Sequence, residues 1–200
     1  MLNPTQLIED LRNLGVKEDD LIIVHSSYNG LRGADQIEGG PEAVIAALKE
    51  TVKKGTLVIP TFSYENVSID NRVFDVENTP VCIGILPETI RLSNDVYRSV
   101  HPTHSLAAWG KDAEAITQNH QFDHTPVGVN SPLSEVYRRN GKIVLLGCPF
   151  ARNTSLHGVE EMILPDYLFT TNYDYDVTLA NKGKITMNVL RHNFSAHEQR

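Results

Sequence analysis

Cysteine is scarce in this chain. Cys82 and Cys148 are the only two, and neither belongs to a Cys-x-x-Cys pair or to a Cys/His array with zinc spacing. Two reduced, partly buried thiols are therefore expected, and metal is not. Basic charge is also short: 18 Lys+Arg stand against 25 Asp+Glu, a net charge of -7, which gives no general pull toward phosphate backbones or anionic lipid. That balance suits a cationic small-molecule partner or plain solubility. No apolar run approaches a membrane span, and the opening segment from Met1 to Asp10 lacks a basic region followed by an apolar stretch. A cytoplasmic protein with neither a nucleic-acid nor a membrane partner is the expectation, and the oligomeric state is left open. Standard phosphate loops are missing too, since there is no Gly-x-Gly-x-x-Gly and no Gly-Lys-Ser/Thr. A hydrolase elbow of the Gly-x-Ser-x-Gly kind is likewise absent.

What is present reads as an α/β protein. Thr5 stands where a helix cap belongs, Leu7, Ile8, Leu11 and Leu14 follow at helical spacing, and Gly15 ends the run. Leu21-Ile22-Ile23-Val24 reads as a buried strand that delivers His25-Ser26-Ser27 to its C-terminal end, ahead of a loop bearing Gly30, Gly33, Gly39 and Gly40. Pro41 opens a helix over Glu42 to Val52, and Gly55 to Pro60 is a second buried strand, so a parallel strand-helix-strand unit is predicted. Residues 64 to 84 read as a long irregular excursion of the kind that covers active sites. Helices are predicted from Leu86, over Ala113 to Asn119 and over Ser134 to Arg139, and Lys142 to Cys148 reads as a buried strand stopped by Pro149. Tyr175 to Leu179 and Ile185 to Leu190 flank Asn181-Lys182-Gly183, a hairpin signature.

Three segments could carry chemistry. Asn153-Thr154-Ser155-Leu156-His157-Gly158-Val159-Glu160-Glu161 follows a strand and offers a helix cap, so His157 would sit in a first helical turn. There the positive end of the dipole disfavours the imidazolium, and a neutral ring can accept a proton, with Glu160 one turn on to orient it. An exposed His-Glu pair behind an ordinary cap fits the same residues equally well. His101-Pro102-Thr103-His104-Ser105 holds two histidines at i and i+3, but Pro102 argues against a helix interior and no further ligand lies near, so either a loop lining a polar pocket or surface histidines remain. His25-Ser26-Ser27 lies beyond a strand end, where ligands bind in parallel sheets. Residue chemistry alone thus reaches an α/β enzyme with a histidine base.

Taken together and in order, Val24-His25-Ser26-Ser27 with Gly39-Gly40, Gly55 to Ser63, Arg98 to Gly110, and Asn153-Thr154-Ser155-Leu156-His157 resemble the aminoglycoside 3-N-acetyltransferase family. Asn130-Ser131-Pro132-Leu133 and Arg191-His192-Asn193-Phe194 fit the same pattern. The resemblance implies a three-layer α/β/α fold with a largely parallel central sheet. That fold is distinct from the common N-acetyltransferase superfamily, whose Arg/Gln-x-x-Gly-x-Gly/Ala signature is absent here. It further implies a single acetyltransferase domain over residues 1–200, shortened at its C-terminal side. The activity implied is acetyl transfer from acetyl-CoA, as co-substrate and without metal, to the 3-amino group of an aminoglycoside. The alternatives are another small amine as acceptor, or a non-catalytic CoA-binding relative. By resemblance His157 is the general base, Thr154 positions it or the reacting carbonyl, and Glu160 is the acidic partner. Ser26, Ser27, His101, His104 and Ser105 would line the CoA side. Cys148, ending a strand, is expected as a small core residue.

Overall fold

The computed structural model describes residues 3–34 and 36–193. The first helix, α1 (Pro4–Asn13), is capped by Asn3 and not by Thr5: the Asn3 side chain accepts from the Thr5 N–H at 2.8 Å. Pro4 takes the first helical position, where its missing N–H is no loss. Strand β1 (Leu21–Ser26) leads into α2 (Tyr28–Arg32), a short helix inside the segment read as loop, and Ser27 caps it through the Gly30 N–H. Next come α3 (Gly40–Thr51) and β2 (Thr56–Pro60). The predicted irregular excursion contains β3 (Val73–Asp75), too short to leave a periodic signal, and α4 (Ile85–Arg91) follows. The chain continues through β4 (Val96–Arg98), β5 (Leu106–Gly110), α5 (Ala113–Thr117), α6 (Pro132–Arg138) and β6 (Lys142–Leu146). It ends in α7 (Leu156–Ile163), β7 (Tyr173–Thr178) and β8 (Lys184–Val189).

The larger sheet runs β4-β5-β2-β1-β6. β1 lies parallel to both β2 and β6, whereas β5 is antiparallel to its neighbours. Alternation along the strands sorts the apolar side chains onto two faces. Ile22, Val24, Leu57, Ile59 and Ala107 meet Leu7 and Leu11 of α1, Val44 and Leu48 of α3, and Leu86 and Ile90 of α4. Ile23, Val58, Leu106 and Ala108 meet Ala113 and Ile116 of α5 and Leu133 and Val136 of α6. Helices therefore cover both sides of the sheet, which makes three layers. β6 departs from the buried strand predicted from its composition: it is the edge strand, and Ile143 is 48% exposed.

β3, β7 and β8 form a second sheet, with β7 and β8 as the predicted hairpin and β3 parallel to β7. Its own core holds Phe74, Tyr175, Val177, Met187 and Val189. Arg98 joins the two sheets, donating to the carbonyls of Thr61, Val76 and Thr79 and, through Nε, to Ser105 Oγ at 2.9 Å. Burial pushes its pKa down to about 9, and the acceptors around it compensate the buried charge. Among the described residues no helix is long and apolar enough to cross a membrane.

Candidate active site

A cavity of about 650 Å³ opens beyond the C-terminal ends of β1 and β2, where a parallel sheet leaves loop amides and side chains unpaired by strands. Val24 to Asn29 form one wall, Phe62, Tyr64 and the start of α4 another, and Cys148, Arg152, Thr154 and His157 close it from the loop after β6. Of the residues singled out from the sequence, His25, Ser26, Ser27, His104, Thr154 and His157 reach the cavity. Ser26 Oγ is buried and has no hydrogen-bond partner among the described residues, so a polar ligand entering there would meet an unsatisfied hydroxyl.

His157 lies in the first turn of α7, behind Ser155 at the cap position. Its Nδ1 and Glu160 Oε2 are 2.7 Å apart, one helical turn on, which fits an N–H donating to the carboxylate and makes Nε2 the basic nitrogen of that tautomer. Glu160 does not itself line the cavity and meets it through the ring of His157.

Behind His157 stands a group that the sequence did not single out as a site. His192 packs against His157 with ring centroids 4.6 Å apart and against His104 at 5.0 Å. Its Nε2 is 2.9 Å from Glu161 Oε1, and the same oxygen accepts from the Val127 N–H. The smaller sheet delivers His192: β8 leads into residues 190–193, where Arg191 donates to the carbonyls of Tyr64 and Val67. Glu161 adjoins Glu160 in sequence yet points to the interior, a difference that helix phase creates and that composition cannot reveal. Phe194, the last residue of the segment matched by resemblance, lies outside the described residues.

Two expected cavity residues sit elsewhere. His101 is fully buried; its Nδ1 accepts from the backbone N–H of His104 at 3.0 Å, and its ring stacks on His120 at 4.8 Å. Ser105 is consumed by Arg98 and by the Thr61 carbonyl, to which its hydroxyl donates at 2.9 Å. Pro102 and the tight turn after it rotate this segment so that only His104 faces the cavity, with Thr103 Oγ1 at 2.8 Å from its Nδ1 and Phe62 against its ring. Cys148 corrects the core-residue reading in the opposite sense. It is half-buried in the cavity wall, and its thiol donates to the His25 carbonyl at 3.3 Å. Burial raises its pKa above the ordinary thiol value, so it stays protonated and a poor nucleophile. Among the described residues no cluster of three or more His, Cys, Asp or Glu side chains is placed to hold a metal.

The close approach of α2 to the loop after β6 depends on glycine. A Cβ on Gly30 would overlap the backbone carbonyl oxygen of Gly147, which has no flexible side chain to yield, and Gly147 itself holds φ +66. Gly30→Ala is expected to lower stability by about 2 kcal/mol, the cost of overpacking a site that cannot yield, and to part α2 from the loop that carries Thr154. Chemical denaturation of the two proteins checks this; an unchanged midpoint would show that the loops separate freely.

The sequence profile of the aminoglycoside 3-N-acetyltransferase family matches residues 23–199. Aminoglycoside N(3)-acetyltransferase IV from Salmonella sp. is 34% identical over 165 residues, which cover 81% of this chain and 60% of that protein. The chain spans about 60% of the length of the curated relatives it matches. Among solved structures, AAC-IIIb in binary complex with CoASH superposes with a TM-score of 0.77 at 29% identity, covering 95% of this chain and 75% of that one. An AAC(3)-IVa variant in complex with a gentamicin superposes with a TM-score of 0.75 at 29% identity, covering 96% of this chain and 70% of that one.

Proposed function

The chain belongs to the aminoglycoside 3-N-acetyltransferase family, and we propose that it transfers the acetyl group of acetyl-CoA directly to the 3-amino group of an aminoglycoside, with His157 as general base. The observation that carries this reading is the meeting of His157, paired to Glu160, with Thr154 on the wall of one cavity. An ammonium must first release one proton to solvent before it can attack a thioester, and the free amine sheds a second as the new bond forms, which a neutral imidazole can accept. The amine nitrogen bonds to the acetyl carbon while His157 Nε2 takes the proton. The carbon–sulfur bond then breaks, the CoA thiolate leaves, and the imidazolium returns a proton to it. The negative charge that gathers on the carbonyl oxygen meanwhile needs a donor, and the Thr154 hydroxyl is the cavity group for it.

Acetyl-CoA is the co-substrate, and no metal takes part in these steps. On the CoA side, Ser26 with its unsatisfied hydroxyl, Ser27 and His104 are the cavity residues, and Arg152 adds a positive charge to the same wall. Relatives solved with CoASH and with a gentamicin support both substrate classes. Calorimetric titration of the folded protein with CoA is expected to show saturable binding, and its absence would overturn the reading. Mass-spectrometric assay of acetyl-CoA with aminoglycosides and simple polyamines should then give a single added acetyl group on an aminoglycoside. Acetylation of the polyamines alone would move the acceptor to another class of amine.

A further inference from the structure

His25, next to last in β1, lies in the cavity wall only 4% exposed, and both of its ring nitrogens meet hydroxyls of consecutive residues. Nε2 lies 2.8 Å from Ser155 Oγ and Nδ1 lies 3.3 Å from Thr154 Oγ1. Ser155 occupies the cap position of α7 without bonding a helix amide through its side chain; its hydroxyl serves His25 instead. Burial pushes the pKa of His25 down to about 4, so at neutral pH the ring carries one proton. One nitrogen must donate and the other must accept. The shorter contact suits a hydroxyl proton given to Nε2, and the 3.3 Å contact, long for either direction, is then left to the Nδ1 proton.

We infer that His25 is a positioning residue that sets the direction of the Thr154 hydroxyl: Nδ1–H donates to Thr154 Oγ1, Nε2 accepts from Ser155, and Thr154 is left to donate its own proton into the cavity. The opposite tautomer would draw the Thr154 proton onto His25. The cavity would then face only the lone pairs of Oγ1, which repel an oxygen gaining negative charge. The inference rests on the reading that acyl transfer takes place beside Thr154, and it gives β1 a part in the chemistry through a residue that acts by way of Thr154. It also accounts for a side chain at a helix cap that does not cap.

Two measurements test it. Long-range ¹⁵N–¹H ring spectra of the labelled wild-type protein at pH 7 read the tautomer directly, with the His25 signal identified by its loss in His25→Asn. A protonated Nδ1 is expected, and a protonated Nε2 overturns the inference whether or not any acceptor is turned over. The second is a kinetic cycle with acetyl-CoA and an aminoglycoside. His25→Ala is expected to lower kcat roughly 10- to 100-fold with little change in KM for acetyl-CoA, because one donor to the carbonyl oxygen is misdirected. In a Thr154→Val background the same change should cost less than about 3-fold, since the group that it acts through is gone. Equal losses in both backgrounds would reduce His25 to structural support and sink the idea. His25→Asn, whose amide can donate from near the Nδ1 position, should recover part of kcat where His25→Gln does not, and this contrast stands even if the alanine variant fails to fold. Should wild-type protein acetylate no amine, the proposed function fails, while the spectra still decide the tautomer.

Discussion

If His157 is the base proposed above, His157→Ala should lower turnover by roughly 10²-fold or more while leaving acetyl-CoA affinity nearly unchanged, because the loss then falls on the proton-transfer step and not on holding the co-substrate. The Nδ1 contact to Glu160 at 2.7 Å sharpens the expectation. Glu160→Gln still offers an acceptor oxygen, so it keeps the ring oriented and loses only the charge that favours the imidazolium; its loss should be smaller than that of the alanine variant. Single-turnover rates beside calorimetric CoA affinities separate chemistry from binding. His157 packs on His192 at 4.6 Å, so the variant must first show a wild-type unfolding midpoint. A folded His157→Ala protein with near wild-type turnover would take His157 out of the mechanism and leave His104 and His25 as the cavity imidazoles to test.

Stability should begin to fall with acid before the carboxylates start to protonate. His25 and His120 are pushed down to about 4 and about 3 by burial, and His101 and His104 are driven well below the ordinary histidine value by burial first and by neighbouring imidazoles second. Each folded-state value lies below the unfolded 6.5, so below pH 6.5 the unfolded chain binds protons that the folded chain refuses. Stability from these four rings is therefore complete above pH 6.5 and declines as the pH falls toward 4. Linkage sets the slope at up to about 1.4 kcal/mol per pH unit for each ring, so the group together removes several kcal/mol over about two units. That is a large share of a total stability on the order of 10 kcal/mol. Denaturant unfolding at pH 7, 6 and 5 measures the slope, and a flat profile would mean that these histidines are hydrated in the folded state.

Much of the layered architecture was legible because it follows from local pattern. Apolar runs at residues 21–24 and 55–60 became β1 and β2, and Pro41 did open α3. The hairpin around Asn181-Lys182-Gly183 formed as its turn chemistry requires. β6 was misjudged on burial since an apolar strand reads alike at the centre and at the edge of a sheet, and only the strand order separates the two. β3 escaped because three residues carry no period, and its pairing with β7 is a contact across the chain.

Local pattern singles out residues of suitable chemical type: an imidazole with a carboxylate one turn away, hydroxyls at a helix start, and a His-Ser-Ser at a strand end. Helical spacing dictates the His157–Glu160 pair, because i and i+3 meet on one face whatever the rest of the chain does. Only the tertiary structure decided which of the other candidates share a cavity. His25 meets Thr154 and Ser155 from another strand, and His192 reaches His157 from the second sheet. Ser105 is claimed by Arg98, and His101 by its own turn. These choices rest on contacts between residues far apart in the chain, which packing of the layers fixes and no local spacing encodes.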